Sequence, residues 1–169
     1  GLLGGSSDAT AFIFQRANDS LVFGTNNTER GRIDASGNLL VGKTSSSGNT
    51  VGAEMRANGG IFGTKDGDYV ARFNRKTSDG SIVEIQKDGT TIGSIASRSG
   101  AVTTMIFDPR TNGSGISGTT NGLIPTNQSG TPTNNHVDLG SSTNKFKDLH
   151  LSGTISSGAI TSTGLTVNG

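Results

Sequence analysis

The chain has no cysteine and no tryptophan, and it is poor in apolar residues of every kind. Of its 169 residues, 30% are hydrophobic and 5% are aromatic, which is low for a domain that builds its own core. The absence of cysteine excludes disulfides and fits assembly in a reducing compartment. We therefore expect a fold whose stability depends on something other than a large apolar interior.

Strong charge of either sign is also missing. The formal net charge is +1, and this argues against both the basic stripe of a nucleic-acid-binding protein and the high net charge of a disordered chain. No apolar run approaches the ~18 residues that span a membrane. The first residues lack the features of a signal peptide. Because the chain begins at Gly1 without methionine, we interpret it as a segment of a longer polypeptide.

Glycine is the residue that the chain has in abundance, with 27 copies against three prolines. Short apolar runs alternate with turn signals every 8–12 residues, and this spacing predicts an all-β protein. We predict four hairpins and a further strand at Met105–Phe107. The hairpins join Phe12–Phe14 to Leu21–Phe23, Arg32–Asp34 to Leu39–Val41, Gly60–Gly63 to Tyr69–Phe73, and Ser81–Gln86 to Thr91–Ile95. Only Leu2–Ala11 and Asn144–His150 could hold a helical turn or two.

Composition divides the chain into three stretches. Residues 1–107 carry most of the paired apolar runs and should form hairpin-rich modules. Residues 108–136 are rich in Gly, Thr and Asn, and we expect an extended loop there. Residues 137–169 should form a junction followed by a glycine-punctuated β shaft, whose repeats are too short to bury their own apolar side chains. A flexible linker is the alternative for this tail.

Carboxylates are the first candidates for catalytic chemistry. Asp66 with Asp68, Asp79 with Glu84, and Asp88 could supply the acid and base of a glycosidase. Asp66 and Asp88 each precede a glycine in a predicted turn, where aspartate is favoured for its hydrogen bonds to nearby backbone N–H groups. We expect turn chemistry rather than catalysis at these positions.

The remaining motifs are weaker still. Residues 113–118 match G-x-G-x-x-G, but no helix should follow them, so we expect no dinucleotide site. His136 and His150 are the only imidazoles. A threefold axis could gather three copies of one of them around a metal, but surface or inter-chain hydrogen bonding is the favoured role. Asp66 and Asp68 lack the further oxygen ligands of a calcium loop. We predict no catalytic, cofactor-binding or metal-binding residues.

Three phrases in the sequence resemble the fibre proteins of tailed bacteriophages. They stand in one order along the chain and cover about a third of it: Glu29–Thr44, Asp68–Thr90 and Asp138–Gly153. The resemblance implies a non-enzymatic, elongated, intertwined homotrimer that supports host attachment from the virion. It also implies contacts with other virion proteins on the N-terminal side and with a host surface glycan or protein. A receptor surface, if present, is expected in residues 108–135.

The same resemblance and the apolar spacing of the tail give a predicted inter-chain core. Its members are Phe146, Leu149, Leu151, Ile155, Ile160 and Leu165. In the resembling proteins this region often precedes an intramolecular chaperone domain of the endosialidase type, whose hallmark phrase is absent here. The alternatives are a capsid fibre or decoration protein, a polysaccharide-degrading tailspike segment, and a bacterial trimeric adhesin.

Overall fold

The structure is a computed structural model that describes residues 3–5 and 11–158. This part of the chain contains strands, turns and loops and no helix. The prediction of an all-β protein is therefore confirmed. The chain divides into two compact units, one ending at Asn74 and the other beginning at Arg75.

The first unit contains a short two-stranded sheet and a five-stranded antiparallel sheet. The two-stranded sheet pairs β1 with β2, and the larger sheet follows the order of the sequence from β3 to β7. The strands are β1 (Leu3–Gly5), β2 (Ala11–Ile13), β3 (Leu21–Thr25), β4 (Thr28–Ile33), β5 (Leu39–Val41), β6 (Gly52–Met55) and β7 (Ile61–Thr64).

The second unit contains one five-stranded antiparallel sheet, again a meander in which each strand pairs with the next. Its strands are β8 (Gly80–Lys87), β9 (Thr90–Arg98), β10 (Val102–Ile106), β11 (Ser114–Gly118) and β12 (Leu123–Asn127). Such meanders form from local pairings, because each antiparallel connection needs only a short turn.

Two of the four predicted hairpins are confirmed, and local turn chemistry explains both. Between β4 and β5, the Asp34 carboxylate accepts bonds from the backbone N–H of Ser36 (3.0 Å) and Asn38 (2.9 Å). Between β8 and β9, Asp88 and Gly89 have φ of 49° and 77°. Positive φ at both central residues is the geometry of a two-residue hairpin loop that follows the twist of the strands.

The other two hairpin predictions are wrong. β3 pairs with β4 rather than with β2, because Asn26 and Asn27 form a closer reversal with φ of 51° and 53°. Asparagine tolerates this left-handed conformation better than most residues. Tyr69–Phe73 forms no strand, and β7 pairs with β6 instead. A Cβ placed at Gly63 would lie 3.0 Å from Val70 Cγ1, so Val70 approaches β7 through its side chain.

The loop predicted over residues 108–136 is also corrected, because this stretch supplies β11 and β12. The inward positions of these strands hold Gly115, Ser117 and Thr126, all of them buried. Small and hydroxyl-bearing residues at inward positions remove the apolar alternation that sequence analysis depends on. The Asn144–His150 segment contains no helical turn.

Candidate functional site

The five-stranded sheet of the first unit has one face that is apolar across its whole width. Residues paired directly across antiparallel strands lie on the same face of the sheet. One such row joins all five strands and is apolar at every position. From β3 to β7, it consists of Leu21, Ile33, Leu39, Met55 and Ile61.

A second row on the same face lies two residues along each strand. It holds Phe23, Gly31, Val41, Ala53 and Gly63. We call the two rows together the apolar face. Six of its side chains are large and lie 39–77% exposed: Phe23, Ile33, Leu39, Val41, Met55 and Ile61. Neither row contains a charged residue.

The opposite face of this sheet carries the charges, and the chain itself covers its centre, whereas Val22 and Phe62 at its two edges are 48% and 38% exposed. Its central row runs from Val22 through Arg32, Leu40 and Glu54 to Phe62. Leu40 is 0% exposed and Glu54 is 1% exposed. We call this surface the closed face.

A buried ion cluster holds the closed face together. Lys43 Nζ lies 2.7 Å from Glu54 Oε2, and Arg56 Nη2 lies 2.6 Å from Glu54 Oε1. The backbone N–H of Ser47 also donates to Glu54 Oε2 at 3.1 Å. The hydrogen bond from Lys43, aided by the one from Arg56, lowers the pKa of Glu54 from 4.5 to about 2 against the opposing effect of burial. Glu54 is therefore an anion at neutral pH whose charge is fully compensated.

The same cluster fixes the loop between β5 and β6 onto the sheet. Lys43 Nζ donates to the Ser47 carbonyl at 2.6 Å, and Thr64 Oγ1 of β7 donates to the Gly48 carbonyl at 2.7 Å. Arg56 Cζ lies 4.0 Å from the centre of the Phe62 ring, a distance typical of a cation–π contact. This loop is thus a cover for the closed face.

The sheet of the second unit repeats the arrangement with an apolar row of its own. Val83, Ile95, Met105, Ile116 and Pro125 lie opposite one another on five adjacent strands. Met105 is 40% exposed and the other four are half-buried. This row is therefore better covered within the chain than that of the first unit.

The reverse side of the second sheet is mostly polar and also carries the buried Ile106. The hydroxyls of Thr104 and Ser117 are 2.8 Å apart, and Arg98 Nε donates to Ser117 Oγ at 2.9 Å. A cleft of about 520 Å³ opens on this side between the sheet and residues 128–132. Its lining includes Ser81, Ser94, Ser97, Ser129 and Thr131 and contains no aromatic residue. The cleft offers hydrogen bonds to a ligand but no ring for a sugar to stack on.

Four of the five carboxylates considered for catalysis bond to groups close by in the structure. Asp68 accepts a bond from the backbone N–H of Tyr69 at 2.7 Å, and both oxygens of Asp79 accept from the backbone N–H of Gly100 at 3.1 Å. Asp88 lies 2.6 Å from Lys87 Nζ at the exposed hairpin tip. Asp66 lies exposed in the segment that follows β7.

Glu84 is the remaining carboxylate of that set. It accepts hydrogen bonds from Thr91 Oγ1 and from Gln86 Nε2, the latter at 3.0 Å. The Thr91 bond, followed by the Gln86 bond, lowers the pKa of Glu84. A general acid that works near neutral pH needs a raised carboxyl pKa, and Glu84 is shifted in the other direction.

The two histidines lie apart from any set of metal ligands. His136 Nε2 donates to the Gly113 carbonyl at 3.2 Å, and His150 lies exposed outside the strands. Over residues 3–5 and 11–158, no three His, Asp or Glu side chains are grouped closely enough to hold a metal ion. The G-x-G-x-x-G match coincides largely with strand β11 rather than with a turn that precedes a helix.

The members of the predicted inter-chain core that lie within the described residues are exposed in a single copy of the chain. Phe146, Leu149, Leu151 and Ile155 are 54–66% exposed, and residues 137–158 contain no strand. Ile160 and Leu165 lie outside the described residues. The shaft and its inter-chain core remain predictions.

Comparison with protein-family models, with curated proteins and with solved structures finds no match. Within the described residues, no helix has the length and apolar character needed to cross a membrane.

Proposed function

We propose that this chain is a segment of a tailed-bacteriophage fibre. It assembles as a homotrimer and acts as a rigid, non-enzymatic projection that supports attachment of the virion to its host. Other virion proteins are its partners on the N-terminal side, and a host surface glycan or protein is its distal partner. The three phrases that resemble phage fibre proteins support this assignment.

One structural observation carries the structural, self-associating part of the proposal. Among the described residues, Leu40 and Ile106 are the only buried large hydrophobic side chains, whereas large apolar side chains are exposed throughout both units. A small domain with so little apolar burial is marginal alone, and association is a standard way of completing such a core. A protein that projects from a virion as several parallel chains fits this requirement.

The number of chains is tested by light scattering on the purified protein. A homotrimer predicts a mass near three times 17.2 kDa that persists in mild detergent. A monomeric mass would contradict the proposal.

The location on the particle is tested by immunogold labelling of virions with antibodies against the chain. Gold at the tail fibres supports the proposal, whereas gold over the capsid would instead assign the chain to a capsid fibre or decoration protein.

Incubation with host capsular polysaccharide is the parallel test for the tailspike alternative. Release of new reducing ends would show that the chain is an enzyme and would overturn the non-enzymatic assignment.

A further inference from the structure

We infer that the apolar face of the first unit is the surface on which a second copy of this chain packs. The inference deepens the proposed function and rests on its claim of self-association, but it names a surface different from the tail residues around Phe146. It concerns the ten positions from Leu21 to Gly63 that form the two rows described above.

The chemistry of the face restricts its occupant. None of its ten positions carries a charge, although the closed face of the same sheet carries Arg32 and Glu54. An acidic or basic partner would find no opposite charge on this surface. Permanent interfaces between copies of one chain are more apolar than transient ones and resemble a core divided in two.

The two faces also differ in how fully the chain covers them. The loop between β5 and β6 covers the closed face and leaves Leu40 and Glu54 without appreciable exposure. In contrast, Met55, adjacent to Glu54 in the same strand, is 53% exposed. The charge of Glu54 is already compensated by Lys43 and Arg56. The apolar face is therefore the side of this sheet on which most large side chains remain uncovered.

The area of the apolar face is sufficient for a stable contact between two copies. Its six large exposed side chains present on the order of 100 Å² each, or about 600 Å² per copy. If contacts with other copies bury this face, each copy loses about 600 Å² of exposed surface, at the lower end of the ~600–1,000 Å² per partner typical of stable interfaces. A patch of this size is at the upper end of what monomeric soluble proteins leave exposed.

The thin interior argues that the occupant is permanent. With Leu40 as the one large hydrophobic side chain buried in the described part of the first unit, the sheet needs cover whenever it is folded. A host receptor would be met only after the virion is complete, whereas another copy of the chain is present from synthesis onward. A second copy therefore meets the requirement and a receptor does not.

The absence of native cysteine permits a direct test with single-cysteine variants. Met55→Cys places a thiol on the apolar face, and Val22→Cys places one on the closed face of the same sheet. The two parent residues have similar exposure in one copy, 53% and 48%. Reaction with a water-soluble maleimide is followed by mass spectrometry, and the oligomeric mass is measured on the same samples by light scattering.

We expect the Met55→Cys thiol in the oligomer to react at least about tenfold more slowly than the Val22→Cys thiol. Equal rates in an oligomeric protein would overturn the inference and leave the proposed trimer intact. A monomer in which the Met55→Cys thiol is protected would mean that the chain covers its own face, and this would also overturn the inference. A monomer with both thiols reactive would overturn the inference and the proposed self-association together.

A protected Met55→Cys thiol in an oligomer, combined with absence of gold label on virions, would support the inference and refute the fibre function.

A second pair of variants tests the energetics of the same contact. Met55→Glu should shift the oligomer toward monomer or prevent its recovery, because the charge would be buried between copies. Val22→Glu lies opposite Arg32 and should leave the oligomeric mass unchanged. Dissociation by Val22→Glu alone would contradict the assignment of the face.

Discussion

Replacement of Leu40 by alanine tests the core of the first unit directly. Leu40 is 0% exposed and lies at the centre of the closed face, between Arg32 of β4 and Glu54 of β6. Leu40→Ala removes three carbon groups from a site that the chain cannot fill with another large apolar residue. We expect the free energy of unfolding to fall more for this change than for truncation of any other apolar side chain of the first unit to alanine.

The magnitude follows from burial. Loss of the transfer free energy of three carbon groups, at about 0.8 kcal/mol each, gives about 2.4 kcal/mol. The cavity left behind adds a further cost, which brings measured Leu→Ala changes in cores to about 2.7–5.0 kcal/mol. Since Arg32 and Glu54 flank the site, water entering the cavity would find polar partners. We therefore expect a loss near the lower limit, about 3 kcal/mol.

Urea unfolding followed by far-ultraviolet circular dichroism measures this loss, because the chain has no tryptophan and only one tyrosine for fluorescence. All samples are compared at one protein concentration, since association couples stability to concentration. Leu139→Ala is the matched control, because Leu139 is 75% exposed and its truncation should change stability by less than about 0.5 kcal/mol. A loss below about 1 kcal/mol for Leu40→Ala would refute the assignment of Leu40 as the centre of the core.

Three further predictions concern charge, turn geometry and buried hydroxyls. The pKa of Glu54 is lowered from 4.5 to about 2, so its stabilisation is complete above pH 4.5 and is lost as the pH falls from there to 2. Urea midpoints measured at pH 7 and pH 3 should therefore converge more closely in Glu54→Gln than in the parent protein. Gly89→Ala should cost about 1 kcal/mol in urea unfolding, because φ at this position is 77°. Ser117→Ala should cost about 1–3 kcal/mol because it removes the hydrogen bonds of its hydroxyl to the buried Thr104 and to the half-buried Arg98, whereas truncation of the exposed Thr103 to alanine should stay within about 0.5 kcal/mol. A cost for Ser117→Ala no larger than for Thr103 would contradict the role of the buried hydroxyls.

Two hairpin turns were the part of the fold that the sequence predicted correctly. Asp88 and Gly89 form the strongest short hairpin signal, and β8 and β9 pair across them. Asp34 likewise marks the reversal between β4 and β5, because its carboxylate bonds to backbone N–H groups within the turn. These predictions succeed because their cause lies within a few residues of the turn.

The pairing partner of β3 was predicted wrongly because two possible turns lie beside this strand. Residues 15–20 and the asparagines at 26 and 27 could each reverse the chain beside β3. The asparagine turn is shorter and brings β4 directly against β3. Local propensity favours a turn at both places and carries no information about the five-stranded meander that only one of them permits.

Strands β11 and β12 were not predicted, for a different reason. This reason is the residue type at their inward positions. Ser117 is buried with its hydroxyl bonded to that of Thr104, whereas Thr126 is buried with its hydroxyl left without a hydrogen-bond partner. Polar alternation of this kind has the composition of a loop, although it can occupy a sheet when most of its hydrogen bonds are satisfied. Composition alone therefore predicts a loop for residues 108–136.

The apolar face and the ion cluster both needed strand register to become visible. Leu39 and Met55 belong to one row only because β5 and β6 pair in the observed register, and a slip of one residue would move Met55 to the closed face. Lys43 and Glu54 meet across a loop that no short motif marks. The apolar residues at alternate positions in β5 and β6 were the available signal for the face.

The distribution of residues between interior and surface explains how these features belong together. Among the described residues, the buried polar side chains outnumber the buried large hydrophobic ones, with Lys43 and Glu54 in one unit and Thr104 and Ser117 among those in the other. Buried hydrogen-bonded groups specify a unique arrangement but contribute modest net stability, since folding exchanges their bonds to water for bonds to protein. The larger source of stabilisation, burial of apolar surface, is left on the outside of one copy. Under the proposed self-association, the chain therefore gains its specificity from internal polar contacts and much of its stability from contacts between copies, and folding and assembly become a single coupled step.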